Sequence, residues 1–255
     1  MIVLRQVSAY YRSEKVLDDL SLAIACGERV AVVGPNGAGK TSLLRVLTGL
    51  LPAHGTIHLQ GRELNALSPR ERASLISVVP QEIISDIPYV AQDFVLLGRT
   101  ALLPRLGRPS PEDLSAVQEA MRLTETWDLR KRLLPEMSGG ERQRLALAMA
   151  LASQPKILLL DEPTSHLDLR HRAEMMRLLL KLSTEQRITL LMVVHDLTLA
   201  SQYFERILLL SGGRTVADGT VAEVMTSALL ETAFNCPVRV DTLPGISAVC
   251  ALARL

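Results

Sequence analysis

The sequence has little of several features that mark other classes of protein. Its 255 residues contain only three cysteines, Cys26, Cys236 and Cys250, which lie far apart and lack the spacing of a metal site. We therefore expect reduced thiols, buried as small apolar side chains, as in the cytosol. Basic and acidic residues nearly balance, at 28 against 27, and no run of Lys and Arg stands out. This balance argues against a protein that binds the phosphate backbone of nucleic acids.

Long hydrophobic runs are also missing. The apolar stretches at 157–160 and 188–194 are far shorter than the roughly 18 residues that a membrane-spanning helix needs. The first residues, Met-Ile-Val-Leu-Arg, do not open a charged segment followed by an apolar stretch and a cleavage site. We therefore expect no secretion signal and no passage of this chain through a bilayer. Its 48% of hydrophobic residues instead fits an α/β protein with a substantial core.

The order of apolar patterns predicts an α/β core interrupted by helices. Short β-like runs are predicted at 2–7, 21–24, 29–33, 56–59, 76–79, 157–160, 190–194 and 207–210. Helical periodicity replaces them over 83–149. The fully apolar run at 157–160 fits a parallel strand that is buried on both faces. We predict an α/β core at 1–82 and 150–222, a helical subdomain at 83–149, and a weaker helix and strand appendage at 223–255.

A glycine-rich turn follows the strand predicted at 29–33 and opens a helix that runs to about residue 49. The turn matches the phosphate-binding loop, whose backbone N–H groups face a phosphate while its lysine reaches the β- and γ-phosphates. A turn that only joined strand to helix would not need Lys40 and Thr41 at its end. Thr41 is predicted to bind Mg²⁺ through its hydroxyl, and Lys40 to take part in catalysis. The predicted nucleotide-binding residues here are Gly34, Pro35, Asn36, Gly37, Ala38, Gly39, Lys40, Thr41 and Ser42.

Two acidic residues follow the apolar run at 157–160. At the end of a buried parallel strand, Asp161 is predicted to hold the Mg²⁺ shell through water, and Glu162 to polarise the water that attacks the γ-phosphate. The alternative is a helix-capping acidic pair before Pro163.

Residues 137–144, Met-Ser-Gly-Gly-Glu-Arg-Gln-Arg, resemble the signature sequence of ATP-binding cassette (ABC) proteins. Ser138, Gly139 and Gly140 open a helix whose first N–H groups form a second anion site. By itself, Ser138 fits a simple helix N-cap equally well. Met137 stands where the family commonly has Leu, and its similar volume and apolar character keep the signature intact.

The resemblance extends to about residue 226 and implies both a fold and an assembly. The implied fold is a P-loop NTPase of the ABC ATPase type, with a parallel sheet, an N-terminal antiparallel β subdomain and an inserted helical subdomain. The implied assembly is a head-to-tail homodimer. Each ATP, with Mg²⁺, would lie between the phosphate-binding loop of one subunit and the signature of the other.

Four further positions resemble functional residues of this family. Tyr11 resembles the aromatic that stacks on adenine, although neighbouring Tyr10 and simple strand packing are alternatives. Gln81 resembles the glutamine that reaches Mg²⁺, assists catalysis and starts the loop coupling the nucleotide to a transmembrane partner. A lone glutamine at a strand end is otherwise often only solvated. Asp168 resembles the acid that crosses the dimer interface. His195 resembles the histidine that contacts the γ-phosphate and orients the attacking water, or is structural.

The resemblance also implies a function for the whole chain. Every residue expected for hydrolysis is present, so we expect an active ATPase that uses ATP and Mg²⁺. A single cassette implies separate permease chains, a substrate-binding protein and a location at the cytoplasmic face of the inner membrane. It implies neither direct contact with the cargo nor binding of nucleic acid. A soluble ABC ATPase acting on DNA or ribosomes, and a non-enzymatic nucleotide-binding regulator, are the alternatives.

Three segments narrow the resemblance further. Residues 94–99, 110–113 and 165–169 are similar to the subfamily that imports ferric siderophores, haem and cobalamin, and a related molybdate importer group shares much of this pattern. The alternative for Leu-Leu-Gly-Arg at 96–99 is a helix and its C-terminal cap.

Overall fold

The computed structural model describes residues 1–81, 87–103, 108–165, 167–243 and 246–252, with only the backbone described beyond Asp241. Two compact units make up the chain. The first unit contains Met1–Ala66 and Thr189–Leu255, and the second contains Leu67–Ile188. The strands are β1 Ile2–Tyr11, β2 Glu14–Ile24, β3 Arg29–Val33, β4 Ala53–Leu59, β5 Arg62–Glu63, β6 Ile76–Val79, β7 Ile157–Asp161, β8 Thr189–Val193, β9 Arg206–Ser211, β10 Arg214–Thr220, β11 Val238–Leu243 and β12 Ile246–Leu252. The α-helices are α1 Lys40–Leu47, α2 Pro69–Leu75, α3 Ala91–Leu96, α4 Pro111–Leu123, α5 Gly139–Ala152, α6 Leu169–Gln186, α7 Leu197–Tyr203, α8 Val221–Val224 and α9 Ser227–Phe234.

The first unit contains two different sheets. Strands β2, β1, β4 and β5 form an antiparallel sheet in that order, which confirms the predicted antiparallel β subdomain. In the other sheet, β3 pairs in parallel with β8 and with β9, and β10 adds an antiparallel edge to β9. Residues 30–33 of β3 are fully buried. A continuous apolar run suits such a central parallel strand because both of its faces are covered.

The second unit combines a parallel strand pair with helices. Strands β6 and β7 pair in register from Ile76 opposite Ile157, and residues 157–160 are fully buried. Helices α3, α4 and α5 pack on one another, as the helical periodicity predicted. Helix α5 continues to Ala152, past the subdomain boundary predicted after residue 149. The finer division into core, helical subdomain and appendage therefore remains a prediction.

Local capping signals determine where several helices begin. Ser110 caps α4, and its hydroxyl accepts a hydrogen bond from the backbone N–H of Asp113. The carboxylate of Asp113 accepts a reciprocal bond from the backbone N–H of Ser110. Pro111 lies in the first turn of α4. Backbone N–H groups at that position have no acceptor within the helix, so a proline there costs no hydrogen bond. Beyond residue 222, helix α9 and the antiparallel pair of β11 and β12 match the predicted helix and strand.

The expectation of buried cysteines is wrong for the two whose side chains are described. Cys26 is exposed because it lies in the turn between β2 and β3, where its Sγ accepts a hydrogen bond from the Met1 ammonium at 2.8 Å. Cys236 is half-buried.

None of the helices in the described part of the chain combines the length and apolar character that crossing a membrane requires.

Candidate functional site

The phosphate-binding loop of the first unit depends on glycine at two points. Gly34 has φ +148°, and a Cβ there would lie 2.1 Å from the carbonyl oxygen of Leu210. Gly39 has φ +96°, and its Cβ would lie 2.6 Å from the carbonyl oxygen of Val16. Gly37 has φ +77° but is exposed, with nothing within 4 Å of a Cβ. The outer glycines therefore let the loop pack against its own unit, whereas Gly37 faces open space.

Lys40 spans this loop from the start of α1. Its side chain is largely buried, at 6% exposure, and its Nζ atom donates to the carbonyl oxygens of Gly34 and Pro35, both at 2.8 Å. The next residues, Thr41 and Ser42, are half-buried and buried. The loop thus combines an ammonium group, a helix N-terminus and a glycine with open space around it. These three features together are suited to binding a phosphate group.

His195 and the phosphate-binding loop lie at the same end of the sheet, where the parallel strands have their carboxyl ends. Strands β3 and β8 are parallel neighbours, and the Val194 N–H donates to the Val32 carbonyl oxygen at 3.0 Å. Gly34 and His195 therefore both follow the carboxyl ends of adjacent strands, where open parallel sheets bind ligands. His195 is exposed, and Asp196 caps the following helix α7 by accepting from the Leu199 N–H.

The two neighbouring tyrosines at the end of β1 are both exposed but have different contacts. The hydroxyl of Tyr11 accepts a hydrogen bond from Nη1 of Arg45, on helix α1, at 2.8 Å. The rings of Tyr10 and of His54 in β4 are arranged nearly at right angles, with 6.1 Å between their centroids. Tyr11 is thus the tyrosine whose contact reaches the helix that begins at the phosphate-binding loop. Its stacking on adenine remains a prediction.

In the second unit, Glu162 follows β7 in an unusual backbone conformation. It has φ +48°, a left-handed conformation that non-glycine residues adopt rarely and that tends to occur at functional sites. The backbone N–H and the hydroxyl of Ser165 both donate to the Glu162 carbonyl oxygen, at 3.2 and 3.1 Å. The Nε2 atom of Gln81 donates to Oε2 of Glu162 at 3.0 Å. The structure therefore brings together two of the predicted catalytic side chains.

The donor set predicted for Mg²⁺ fits that ion chemically. Mg²⁺ takes oxygen ligands and keeps several waters, so it needs few protein groups besides the phosphates of its substrate. Thr41 in the first unit, and Gln81 and Asp161 in the second, offer a hydroxyl, an amide and a carboxylate oxygen. Because Gln81 uses its amide nitrogen toward Glu162, its amide oxygen is the atom suited to a cation. Within the described residues, no group of three or more His, Cys, Asp and Glu side chains could hold a metal alone.

The signature residues open helix α5 of the second unit with a complete capping box. Ser138 Oγ accepts from the Glu141 N–H at 3.3 Å, and Glu141 Oε2 accepts from the Ser138 N–H at 2.7 Å. This backbone hydrogen bond is the main reason that the pKa of Glu141 lies below its usual value. The N-cap interpretation of Ser138 is therefore confirmed, and its anion-binding role remains a prediction. Met137, the residue before this helix cap, is buried.

Asp168 caps helix α6 in the same unit. Its Oδ1 atom accepts from the backbone N–H of His171 at 2.8 Å and is 2.9 Å from the ring atom Nδ1 of His171. These contacts, the backbone bond first, hold the pKa of Asp168 below its usual value. Sequence reasoning missed His171, whose only local signal is its position three residues after a capping aspartate.

A second group that sequence reasoning missed lies between α3, α4 and α5. Arg99 donates from Nε to Oδ1 of Asp113 at 2.8 Å and from Nη1 to the Ala152 carbonyl oxygen at 3.1 Å. Helix α3 ends at Leu96 with Leu97 as its C-cap, so a helix end and its cap do lie within 96–99. Gly98 itself does not have the left-handed conformation of a glycine cap. A Cβ on Gly98 would instead lie 1.9 Å from the Met149 carbonyl oxygen. Glycine is required there because α5 passes so close.

Comparisons with known proteins agree with these features. The family described as "ABC transporter" matches residues 17–165. The chain is 40% identical over 242 residues to the hemin import ATP-binding protein HmuV of Rhodococcus jostii (strain RHA1), covering 94% of this chain and 81% of that one. It is 35% identical to the ferric enterobactin transport ATP-binding protein FepC of Escherichia coli (strain K12), covering 98% of this chain and 93% of that one.

Solved structures share the fold. An ABC transporter described as metal-chelate type, in an inward-facing conformation, matches with a TM-score of 0.84 and 28% identity over 100% of this chain and 97% of that chain. The dimeric structure of MJ0796, a bacterial ABC transporter cassette, matches with a TM-score of 0.75 and 29% identity over 87% of this chain and 99% of that chain. The family match and these relatives together show that the chain is an ATPase that belongs to the ABC transporter family.

Proposed function

We propose that this ATPase energises an importer of metal chelates, with haem and ferric siderophores as its cargo class. In this proposal two copies of the chain close around two ATP molecules and bind separate permease subunits at the cytoplasmic face of the membrane. A substrate-binding protein delivers the cargo, which this chain does not contact. Two relatives, one named for hemin import and the other for ferric enterobactin transport, support the cargo class.

The hydrogen bond from Gln81 to Glu162 is the observation that carries the coupling part of the proposal. It joins the group proposed to activate water to a residue at the carboxyl end of β6, at the start of the loop proposed to face the permease. A displacement of that loop changes the environment of the Glu162 carboxylate directly. Permease movement and hydrolysis can therefore control each other through one contact.

Each remaining site residue has a proposed task. Lys40 and the backbone N–H groups of Gly34 and of residues 36–42 hold the phosphates. His195 orients the attacking water against the γ-phosphate. Tyr11 stacks on adenine. Thr41, Gln81 and Asp161 hold Mg²⁺, which when bound offsets the charge of the phosphates. The residues proposed to contact the ATP of the opposite subunit are Ser138, Gly139, Gly140 and Asp168.

The substitution Glu162→Gln tests the chemistry. It keeps the volume of the side chain but removes the base, so we expect kcat to fall by about 10²- to 10⁴-fold. The variant should also retain ATP and form a stable dimer when ATP is added, measured by size-exclusion chromatography and nucleotide analysis. Glu185→Gln, at an exposed position of α6, is the matched control and should keep wild-type turnover. Unchanged turnover in Glu162→Gln would remove Glu162 from the mechanism.

Copurification and growth test the transport function. The tagged chain, purified from detergent-solubilised membranes of its host, should bring a multi-span permease in equal amount. A deletion strain grown with an iron chelator should fail to use haem or a ferric siderophore, and the wild-type gene should restore growth where Glu162→Gln does not. Recovery of only soluble or nucleic-acid-bound partners, with normal growth on every chelate, would contradict the transport function while leaving the ATPase chemistry intact.

A further inference from the structure

The two adjacent glycines of the signature differ in what surrounds them. Gly139 is exposed, and nothing lies within 4 Å of a Cβ placed on it. Gly140 is buried, and its Cβ would lie 2.9 Å from Cδ2 and 3.3 Å from Cγ of His171. Real Cβ atoms essentially never approach to 2.9 Å, so a side chain at 140 would have to displace the ring. Gly139 therefore leaves room for a molecule outside the unit, whereas Gly140 leaves room for His171.

The same imidazole ring also contacts Asp168. Oδ1 of Asp168 already caps α6 by accepting the His171 backbone N–H at 2.8 Å, and Nδ1 of the ring lies 2.9 Å from the same oxygen. Because a carboxylate only accepts hydrogen bonds, Nδ1 must carry the hydrogen in this contact. The cap needs only the backbone bond. The ring therefore adds a second restraint to a carboxylate that is 65% exposed, while the ring itself is only 38% exposed.

We infer that His171 is a positioning residue that ties the Asp168 carboxylate to the start of the signature helix at Gly140. One ring bridges two segments that lie far apart along the chain but belong to the same compact unit. With the bridge in place, the signature and Asp168 meet the opposite subunit at a fixed spacing. This inference rests on the proposed function, because it concerns the surface that closes over ATP in the homodimer.

Two substitutions at His171 separate the roles of the ring. His171→Phe keeps a flat ring against Gly140 but lacks the donor to Asp168. His171→Asn places an amide N–H near the position of Nδ1 but lacks the rest of the ring. His58→Phe, at a half-buried position of β4, is the matched control. Thermal melts of all variants check that each one folds. If the bulkier side chain prevents His171→Phe from folding, His171→Asn still tests the inference.

The measurement is ATP-driven dimerisation, followed by analytical ultracentrifugation in a Glu162→Gln background. Loss of one charge-assisted hydrogen bond predicts a dimer affinity about 5- to 10-fold lower for His171→Phe. His171→Asn should dimerise at least about 3-fold more tightly than His171→Phe, because it keeps the donor. Binding of a fluorescent ATP analogue to the monomer should change by less than about 2-fold, since His171 is not among the residues proposed to hold ATP within its own subunit.

A double-mutant cycle with Asp168→Ala, which removes the acceptor of the ring's hydrogen bond, tests whether His171 acts through Asp168. The effect of His171→Phe should shrink to less than about 2-fold in that background, because the restrained carboxylate is already gone. An equal loss in both backgrounds, no loss from His171→Phe, or no recovery in His171→Asn would overturn the inference. If Glu162→Gln with His171 intact does not dimerise with ATP, the proposed function fails and the inference fails with it. A dimer that is indifferent to His171 overturns the inference alone.

Discussion

The pair formed by Arg99 and Asp113 should dominate the stability of the second unit. Oδ1 of Asp113 accepts from Nε of Arg99 at 2.8 Å and lies 2.6 Å from Nη2, while Oδ2 accepts from the Ser110 N–H at 2.9 Å. The side chains of Arg99 and Asp113 are only 14% and 9% exposed. Arg99 also donates to the Ala152 carbonyl oxygen, so one ion pair holds together parts of three helical segments.

Asp113→Ala removes the partner of a nearly buried guanidinium and the reciprocal half of a capping box. Breaking one side of such a pair leaves a charge uncompensated, so we expect the free energy of unfolding to fall by about 3–5 kcal/mol. Asp113→Asn keeps the shape of the side chain and an acceptor for the Ser110 N–H. We therefore expect the free energy of unfolding to fall by only about 1–3 kcal/mol. The double variant Arg99→Ala and Asp113→Ala should lose less than the sum of the single losses, by more than about 1 kcal/mol.

The chain's one tryptophan makes this unit separately observable. Trp127 lies in the second unit, with the Arg130 guanidinium 4.8 Å from its ring centroid, so its emission in a urea titration follows that unit. Glu119→Ala, at an exposed position of α4, should change little and serves as the control. Additive losses for the two single variants, or a loss below about 1 kcal/mol for Asp113→Ala, would refute the reasoning.

The stability that Asp113 contributes should decrease as the pH falls. The Ser110 backbone N–H, and next the Arg99 guanidinium, hold the pKa of Asp113 below its ordinary value of 3.8. A depressed pKa in the folded state means stability that is present above that value and is lost as pH falls through the folded-state pKa. The difference between wild type and Asp113→Asn should therefore be constant near neutral pH and shrink in acid below about 4.

Three further substitutions test the first unit. Gly34→Ala should lower the melting temperature sharply and abolish ATP binding, because its Cβ would lie 2.1 Å from the Leu210 carbonyl oxygen, whereas Gly37→Ala should lose only about 1 kcal/mol because its surroundings are open. Equal melting temperatures for these two variants would contradict that account. Arg206 donates from Nε and Nη2 to the two carboxylate oxygens of Asp218, both at 2.7 Å, so Arg206→Lys should lose about 1–3 kcal/mol in circular-dichroism melts. A loss below about 0.5 kcal/mol would show that the forked geometry does not matter.

Short sequence patterns predicted those parts of the fold that depend only on residues close together in the chain. The buried strand β7 and the acidic pair after it follow from an apolar run of the right length and its abrupt end. The strands β1 and β2 run longer than predicted, to Tyr11 and from Glu14, because their partners in the antiparallel sheet extend them through polar residues and register shifts. Periodicity in one strand carries no information on how far its neighbour reaches.

The candidate site divides in the same way. The loop at 34–41, the helix N-cap at Ser138 and the family itself could be recognised from sequence, because each needs specific residue types at fixed short spacings. The contact of Gln81 with Glu162, the requirement for glycine at 98 and the bridge made by His171 involve positions far apart in the chain. Sequence by itself determined the chemistry available to this protein. Only the tertiary structure decided which side chains meet. Such contacts depend on how separate helices and strands pack, and no local sequence pattern encodes that packing.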